Sequence, residues 1–365
     1  MAGTKLKEIK VVNAYSVYIG NGILSMVGKK AAEAAKSRKA LVVTDDNIPK
    51  DYINTVRSSL IAEGFDVWEF IFPHGERSKN ISTYIELQNF AAQKRLCRSD
   101  IMIALGGGVV GDITGFAAAT YMRGINYIQV PTSLLAAVDS SVGGKTAIDL
   151  EAGKNLVGAF YRPSAVICDI SLLKTLPDEF VRDGMAEVIK YAHIREAKLL
   201  EILENSDGIL QSIKDGTQSE RIADIIARCV QLKADIVNAD EFESGERALL
   251  NFGHTAGHAV EAVSDFGISH GHAVAIGMCV FARGAVNTGL CDKSVCESII
   301  SLNEKYGLPT DTSYCNEELF NAALSDKKSG GNYIKTVIPN KRANCIIKKM
   351  TYDELYEFLK SGLEH

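Results

Sequence analysis

The sequence predicts an α/β fold joined to an all-α one: an N-terminal Rossmann-like parallel-sheet domain followed by a C-terminal helical domain. Three observations carry this. Short β-rich runs alternate with helical stretches as far as Pro177, apolar spacing then changes from two to three and four, and one strand in the first half runs into the glycine turn GGGVVGD. The chain has 365 residues, more than the roughly 250 that one core ordinarily fills, so two domains are expected, at 1–176 and 177–362. Residues 363–365 read as the start of an expression tag and are left out of the fold.

Strands are expected at Val11–Ile19, Ala40–Thr44, Asp66–Phe72, Ile101–Leu105, Tyr127–Val130 and Ala165–Cys168, because these runs are β-branched or aromatic and bounded by turn residues. Helices are expected between them at Ile23–Lys36, Lys50–Glu63 and Ser82–Arg95, with Ser82 as an N-cap. Beyond Pro177 the helical spacing runs through Asp178–His193, Lys198–Ile213, Ser219–Asn238, Glu246–Val263, Ala273–Asn287 and Lys293–Tyr306. Tyr333–Ile338 and Ala343–Lys348 flank Pro339 to Arg342 and read as a late hairpin.

Composition removes several function classes. A net charge of −5 argues against nucleic acid or an anionic membrane as partner. No segment reaches the ~20 apolar residues of a membrane span. The first ten residues, MAGTKLKEIK, lack the apolar core of a signal peptide, and the eight cysteines show no CxxC or CxxH spacing. Both features fit reduced thiols and a cytoplasmic protein.

The chemistry-bearing motifs lie in both halves. Ile101–Leu105 feeds Gly106-Gly107-Gly108-Val109-Val110-Gly111-Asp112 and then a helical stretch, so backbone N–H groups and a helix N-terminus can approach a diphosphate. Asp45, Asp46 and Asn47 end an earlier strand and can bond ribose hydroxyls or cap the next helix. Lys145, Lys154 and Asn155 stand among glycines and serines, and Arg123, Lys190, Lys233, Arg247, Lys327 and Lys328 are further cations beside polar motifs. Each alone reads as a solvated surface residue, but together in an acidic chain they suit a small anionic substrate. NFGHTAGHAVEAVSDFGISHGH, at 251–272, holds four of the seven histidines. His254 and His258 share a helix face, and a helix, a turn and a second helix would bring His270 to His254. Two imidazoles need a third ligand to hold a catalytic zinc; spacing suggests His258, while Glu187, in a helical segment with Lys190, would complete a His₂Glu set.

GGGVVGD, VPTSLLAAVDSSVGGKTAID, GKNLVGAFYRPSAV, Thr175-Leu176-Pro177, GMAEVIKYA, NFGHTAGHAVE and SHGHAVAIGM, in this order, closely resemble the 3-dehydroquinate synthase family. The resemblance runs from about Val43 to the Asp326-Lys-Lys motif. It implies NAD, one zinc (or cobalt) ion, a homodimer, and an active site in the cleft between the two domains. The metal ligands it implies are Glu187, His254 and His270, with His258 placed near the substrate phosphate as an acid/base candidate and Glu243 as a proton acceptor. It implies NAD contacts from Asp45, Asn47, Glu76, Lys79, Gly107, Gly108, Val109, Asp112, Thr132, Ser133 and Thr175. Substrate contacts would come from Asp139, Lys145, Lys154, Asn155, Lys190, Lys233, Arg247, Asn251 and His258, with Lys145 also catalytic and Arg123 reaching across the dimer. Which of Lys327 and Lys328 faces the substrate is left open. His272 departs from the pattern, since many members carry glutamate there, and it is expected to face away from the metal.

The reaction implied is conversion of the sugar phosphate 3-deoxy-D-arabino-heptulosonate 7-phosphate to 3-dehydroquinate and phosphate, by transient oxidation with NAD, elimination, reduction, ring opening and aldol closure, in the shikimate pathway. The nearest alternative is another sugar-phosphate cyclase such as 2-deoxy-scyllo-inosose synthase; Lys233, Arg247 and KNLVGAFYRP favour the dehydroquinate enzyme. A metal-dependent polyol dehydrogenase would release NADH, and a non-catalytic NAD-binding regulator would have little need of three metal ligands.

Overall fold

The computed structural model describes residues 4–12, 14–241, 245–326 and 333–364. They form two compact units, Met1–Leu176 with Ser212–Ala234, and Pro177–Gln211 with Asp235–His365. Residues 212–234, whose periodicity assigns them to the helical half, thus group with the first unit.

The first unit is built as β1 (Lys7–Val11), β2 (Tyr15–Gly20), α1 (Met26–Ala34), β3 (Lys39–Asp45), α2 (Lys50–Ala62), β4 (Asp66–Phe72), α3 (Ile81–Gln93), β5 (Ile101–Gly106), α4 (Gly108–Thr120), β6 (Asn126–Pro131), β7 (Lys145–Leu150), β8 (Gly153–Phe160) and β9 (Ala165–Asp169). Seven strands make one sheet in the order β1-β2-β9-β6-β5-β3-β4, parallel except for β1 on β2. Successive residues of β3 and β5 serve opposite faces. Val42 and Ile103 pack with Val27 of α1 and Val56 of α2, whereas Leu41, Val43 and Met102 pack with Leu87 of α3 and Ile113 of α4. Both faces are covered, which is why these strands are continuously apolar, each buried Leu, Ile or Val contributing about 1.5–3 kcal/mol.

Counted from β3, the parallel strands run 2-1-3-4-5, the doubly wound order in which the winding reverses beside the first strand. That reversal lies between β3 and β5, so Asp45 and Gly106, their last residues, border the same crevice.

Several expectations fail locally. Val11–Ile19 is not one strand: Val12 takes φ 51°, Ala14 N–H donates to Val11 O, and β1 folds back on β2. Asn80, not Ser82, caps α3, its side chain accepting from Thr83 N–H at 3.0 Å. The β7–β8 hairpin was not expected, because Gly143 and Gly144 break the alternation in front of it.

After Leu176 come α5 (Asp178–Ile194), α6 (Ala197–Asn205), α7 (Ile209–Asp215), α8 (Ser219–Ala239), α9 (His254–Val263), α10 (His270–Asn287), α11 (Lys293–Lys305), α12 (Asn316–Asp326), the antiparallel pair β10 (Tyr333–Lys341) and β11 (Asn344–Thr351), and α13 (Tyr352–Leu363). Leu363 therefore completes α13 and does not stand outside the fold; His365 lies outside the described residues. The span Glu246–Val263 is not one helix, because Gly253 at φ 79° separates a 3-10 turn at Glu246–Asn251 from α9. Small residues let α9, α10 and α5 approach closely. A Cβ on Gly277 would lie 2.0 Å from Gly253 O, and one on Gly271 would lie 2.3 Å from Asp183 O. No described helix is long and apolar enough to cross a membrane.

Candidate active site

The second unit gathers its site from three helices. Glu187 sits in the middle of α5, His254 is the first residue of α9, and His270 is the first residue of α10 after the turn at Asp265 and Phe266, both at positive φ. His254 Nε2 lies 3.7 Å and His270 Nε2 3.4 Å from Glu187 Oε1. One ligand atom from each of the three falls within 4.8 Å of the others, and His258, Glu261 and His270 form a second such group. The three imidazole rings lie 5.3–5.8 Å apart between centroids, His254 edge-on to both His258 and His270, so His258 adjoins the first group.

Tautomers follow from the partners. Phe252 O can only accept, so His254 Nδ1 carries the proton at 3.1 Å and Nε2 presents its lone pair towards Glu187. His270 Nδ1 lies 3.1 Å from Glu261 Oε2, on the other side of the ring from Glu187. Burial pushes His254 down to about 3, with the Lys190 ammonium reinforcing it. Burial opposes charge on His270 too, but its bonds with Glu187 and Glu261 outweigh that and lift it to about 10. Two Nε2 atoms and a carboxylate oxygen converge here, each imidazole held at Nδ1 by an acceptor, which is the donor chemistry of a divalent cation site. Lys190, 1% exposed, pairs with Glu187 Oε2 and lies over the Tyr191 ring at 4.7 Å.

Other predicted residues of this unit are placed as follows. Arg247 is buried, its backbone N–H donating to Asp240 Oδ2 at 3.0 Å and its guanidinium to Glu241 O. Asn251 ends the 3-10 turn three residues before His254. His272 Nδ1 lies 2.7 Å from Asp183 Oδ1. Glu243, Lys327 and Lys328 lie outside the described residues.

In the first unit, Gly107 caps α4, and Gly108 and Val109 open it, beside Ser133 and Ser140: a Cβ on Gly108 would meet Ser140 Oγ at 3.2 Å. Thr132 N–H donates to Gly106 O, and Ser133 Oγ accepts from Ala136 N–H. Lys79 is the hub of a polar cluster, with Asp112 Oδ2 at 2.6 Å, Asn155 Oδ1 at 2.5 Å and Glu76 Oε1 at 3.9 Å. Burial opposes its charge, yet the Asp112 and Glu76 carboxylates hold its pKa above the ordinary lysine value. Asp45, raised by burial, accepts from Asn47 N–H, and Thr175 Oγ1 accepts from the Tyr52 hydroxyl. Lys233 pairs with Asp139 at 2.9 Å. Lys145 and Lys154 lie on the β7–β8 hairpin, and Arg123 is exposed at the end of a 3-10 turn, Tyr121–Arg123.

The family model described as 3-dehydroquinate synthase N-terminal matches residues 69–183, and 3-dehydroquinate synthase C-terminal matches 184–329. The 3-dehydroquinate synthase of Clostridium acetobutylicum is 42% identical over 351 residues, covering 95% of this chain and 97% of that protein. The chain belongs to the 3-dehydroquinate synthase family. Its activity is the family's, a lyase step in aromatic amino acid biosynthesis. Among solved structures, 2-deoxy-scyllo-inosose synthase complexed with carbaglucose-6-phosphate, NAD+ and Co2+ is similar at TM-score 0.84 and 25% identity, covering 98% of this chain and 100% of that one. 2-Epi-5-epi-valiolone synthase from Streptomyces hygroscopicus, with NAD+ and Zn2+ bound, matches in fold at TM-score 0.86 and 24% identity, over 100% and 99% of the two chains.

Sequence reasoning passed over Glu261 and Asp183, the two carboxylates that orient members of the histidine cluster. The available signal for Glu261 was its place three residues after His258 among apolar neighbours, where a buried carboxylate needs a partner. Asp183 carried no such mark.

Proposed function

We propose that Glu187, His254 and His270 hold one divalent cation, zinc or cobalt, that the first unit binds NAD, and that the enzyme converts 3-deoxy-D-arabino-heptulosonate 7-phosphate to 3-dehydroquinate and inorganic phosphate. The observation that carries the reading is the convergence of those three ligand atoms within 4.8 Å, with both imidazoles held at Nδ1 by acceptors. The cyclase complexed with a sugar-phosphate analogue, NAD+ and Co2+ supports the same cofactors and an anionic sugar phosphate here.

When bound, NAD+ takes and returns a hydride and the cation polarises a substrate oxygen. The remaining work falls to the chain. Lys190, paired with Glu187, holds that carboxylate in place. Lys145, Lys154, Asn155, Asn251 and His258 grip the phosphate by charge-assisted hydrogen bonds, so that its oxygen takes the neighbouring C–H proton as the C–O bond breaks. Asp139, Lys233 and Arg247 orient the other polar groups of the substrate, and Glu243 serves as proton acceptor. NAD is bound by Asp45, Asn47, Glu76, Lys79, Gly107, Gly108, Val109, Asp112, Thr132, Ser133 and Thr175, with its diphosphate at the start of α4.

The enzyme works in the cytoplasm as a homodimer, with Arg123 of one copy reaching its neighbour's site. Met122 at φ 49° and Arg123 at φ 66° make consecutive exposed positive-φ residues in the 3-10 turn Tyr121–Arg123, which supports a positioned role for that arginine. Metal analysis and phosphate release from heptulosonate phosphate, glucose 6-phosphate and sedoheptulose 7-phosphate test the reading. Wild type should release phosphate from the first alone without accumulating NADH, and His254→Ala should lose metal and activity together. Steady NADH release, or preference for another sugar phosphate, would overturn it.

A further inference from the structure

We infer that Asp183 is a positioning residue for the metal-ligand set: its carboxylate latches the start of α10 to α5 and thereby fixes His270 against Glu187. This rests on the metal reading above.

Ser269 occupies the N-cap of α10, where a serine ordinarily accepts from its own helix, yet its side chain makes no such cap. Its hydroxyl instead donates to Asp183 Oδ1 at 2.6 Å, and the carboxylate of the neighbouring helix takes over the capping. The same oxygen accepts from His272 N–H at 3.1 Å and lies 2.7 Å from His272 Nδ1. Ser269 Oγ, His272 N–H and His272 Nδ1, the last also 2.9 Å from Ser269 Oγ, thus converge on one oxygen of a residue that is only 6% exposed. An anion at that position also complements the positive end of the α10 dipole.

Between Ser269 and His272 lie His270 and Gly271. Gly271 removes any spacer at the crossing, since a Cβ there would stand 2.4 Å from Asp183 Cα. Asp183 and Glu187 are one turn apart on the same face of α5. The latch and the ligand pair are therefore neighbouring rungs of one helix–helix contact, and the 3.4 Å between His270 Nε2 and Glu187 Oε1 depends on it. Metal sites tolerate roughly 0.2 Å in ligand position, so loosening the first turn of α10 should cost cation affinity before it costs the fold.

Zinc affinity of the metal-free protein, measured by competition with a chromophoric chelator, tests this together with NAD binding. Asp183→Ala should bind zinc roughly tenfold or more weakly, the usual size of an outer-shell loss, with NAD affinity unchanged. Asp183→Asn retains an oxygen that accepts from Ser269 and His272 N–H, and should recover most of the affinity. Equal affinity in Asp183→Ala and wild type overturns the latch, as does an equal loss in Asp183→Asn and Asp183→Ala. If Asp183→Ala does not fold, Ser269→Ala and His272→Ala decide: weaker zinc binding in either supports the latch, and wild-type binding in both removes it. A wild type that binds no zinc overturns the metal reading instead.

Discussion

Replacing Gly271 by alanine tests how tightly the helix crossing controls the metal site. The added methyl would stand 2.3 Å from Asp183 O and 2.4 Å from Asp183 Cα, both rigid backbone atoms, against roughly 3.5–4 Å for carbon atoms in ordinary contact. The first turn of α10 must therefore move from α5 by about 1 Å, several times the roughly 0.2 Å that metal–ligand distances tolerate. Overpacking of this kind costs about 1–3 kcal/mol, and zinc affinity should fall by about 10- to 100-fold. Chelator competition reads the affinity and thermal unfolding of the metal-free protein reads the stability. Gly289→Ala is the control: it lies just past α10, with nothing within 4 Å of its Cβ, so its φ of 69° brings strain but no displacement at Glu187. Zinc affinity in Gly271→Ala within about twofold of wild type would refute the reasoning, because an unmoved site cannot coexist with an outer-shell loss of the usual size.

Other outcomes follow from single contacts. His193 is 2% exposed and burial depresses it to about 4, so the unfolded chain binds more protons in the acid range. Its contribution is fully present above about pH 6.5 and is lost as pH falls towards 4, by roughly 3 kcal/mol in all; His193→Phe should flatten urea-measured stability over that window, and an unchanged slope would count against the assignment. Lys79→Met leaves Asp112 without its cation and should destabilise by about 3 kcal/mol and weaken NAD binding, whereas unaltered stability by urea titration would show the cluster to be solvated. Asn80→Ala removes the α3 cap and should cost about 1 kcal/mol with zinc affinity untouched, and a cost near zero would mean water replaces the cap.

What could be read in the sequence was what local pattern or a distinctive motif marks. Leu41 to Val43 and Met102 to Ala104 announced buried parallel strands because both sheet faces are covered, and the glycines from Gly106 to Gly111 marked a strand-to-helix turn. His254, His258 and His270 pointed to one cluster through spacing alone, but selecting Glu187 over His258 took the family resemblance, since a helical Glu-Lys pair looks like any surface ion pair. Features created by distant packing stayed hidden. The fold-back of β1 onto β2 runs through Val12 at φ 51°, and the grouping of 212–234 with the sheet unit depends on contacts that helical periodicity does not encode. Asp183 and Glu261 act only because a second helix brings donors to them.

The most direct measurement is a calorimetric zinc titration of the metal-free wild type and of Glu187→Gln, His254→Ala and His270→Ala. One site per chain in the wild type, lost or severely weakened in each of the three variants while NAD still binds, is the result expected. A variant that keeps wild-type affinity, or a second equally tight site that survives all three changes, would place the metal elsewhere.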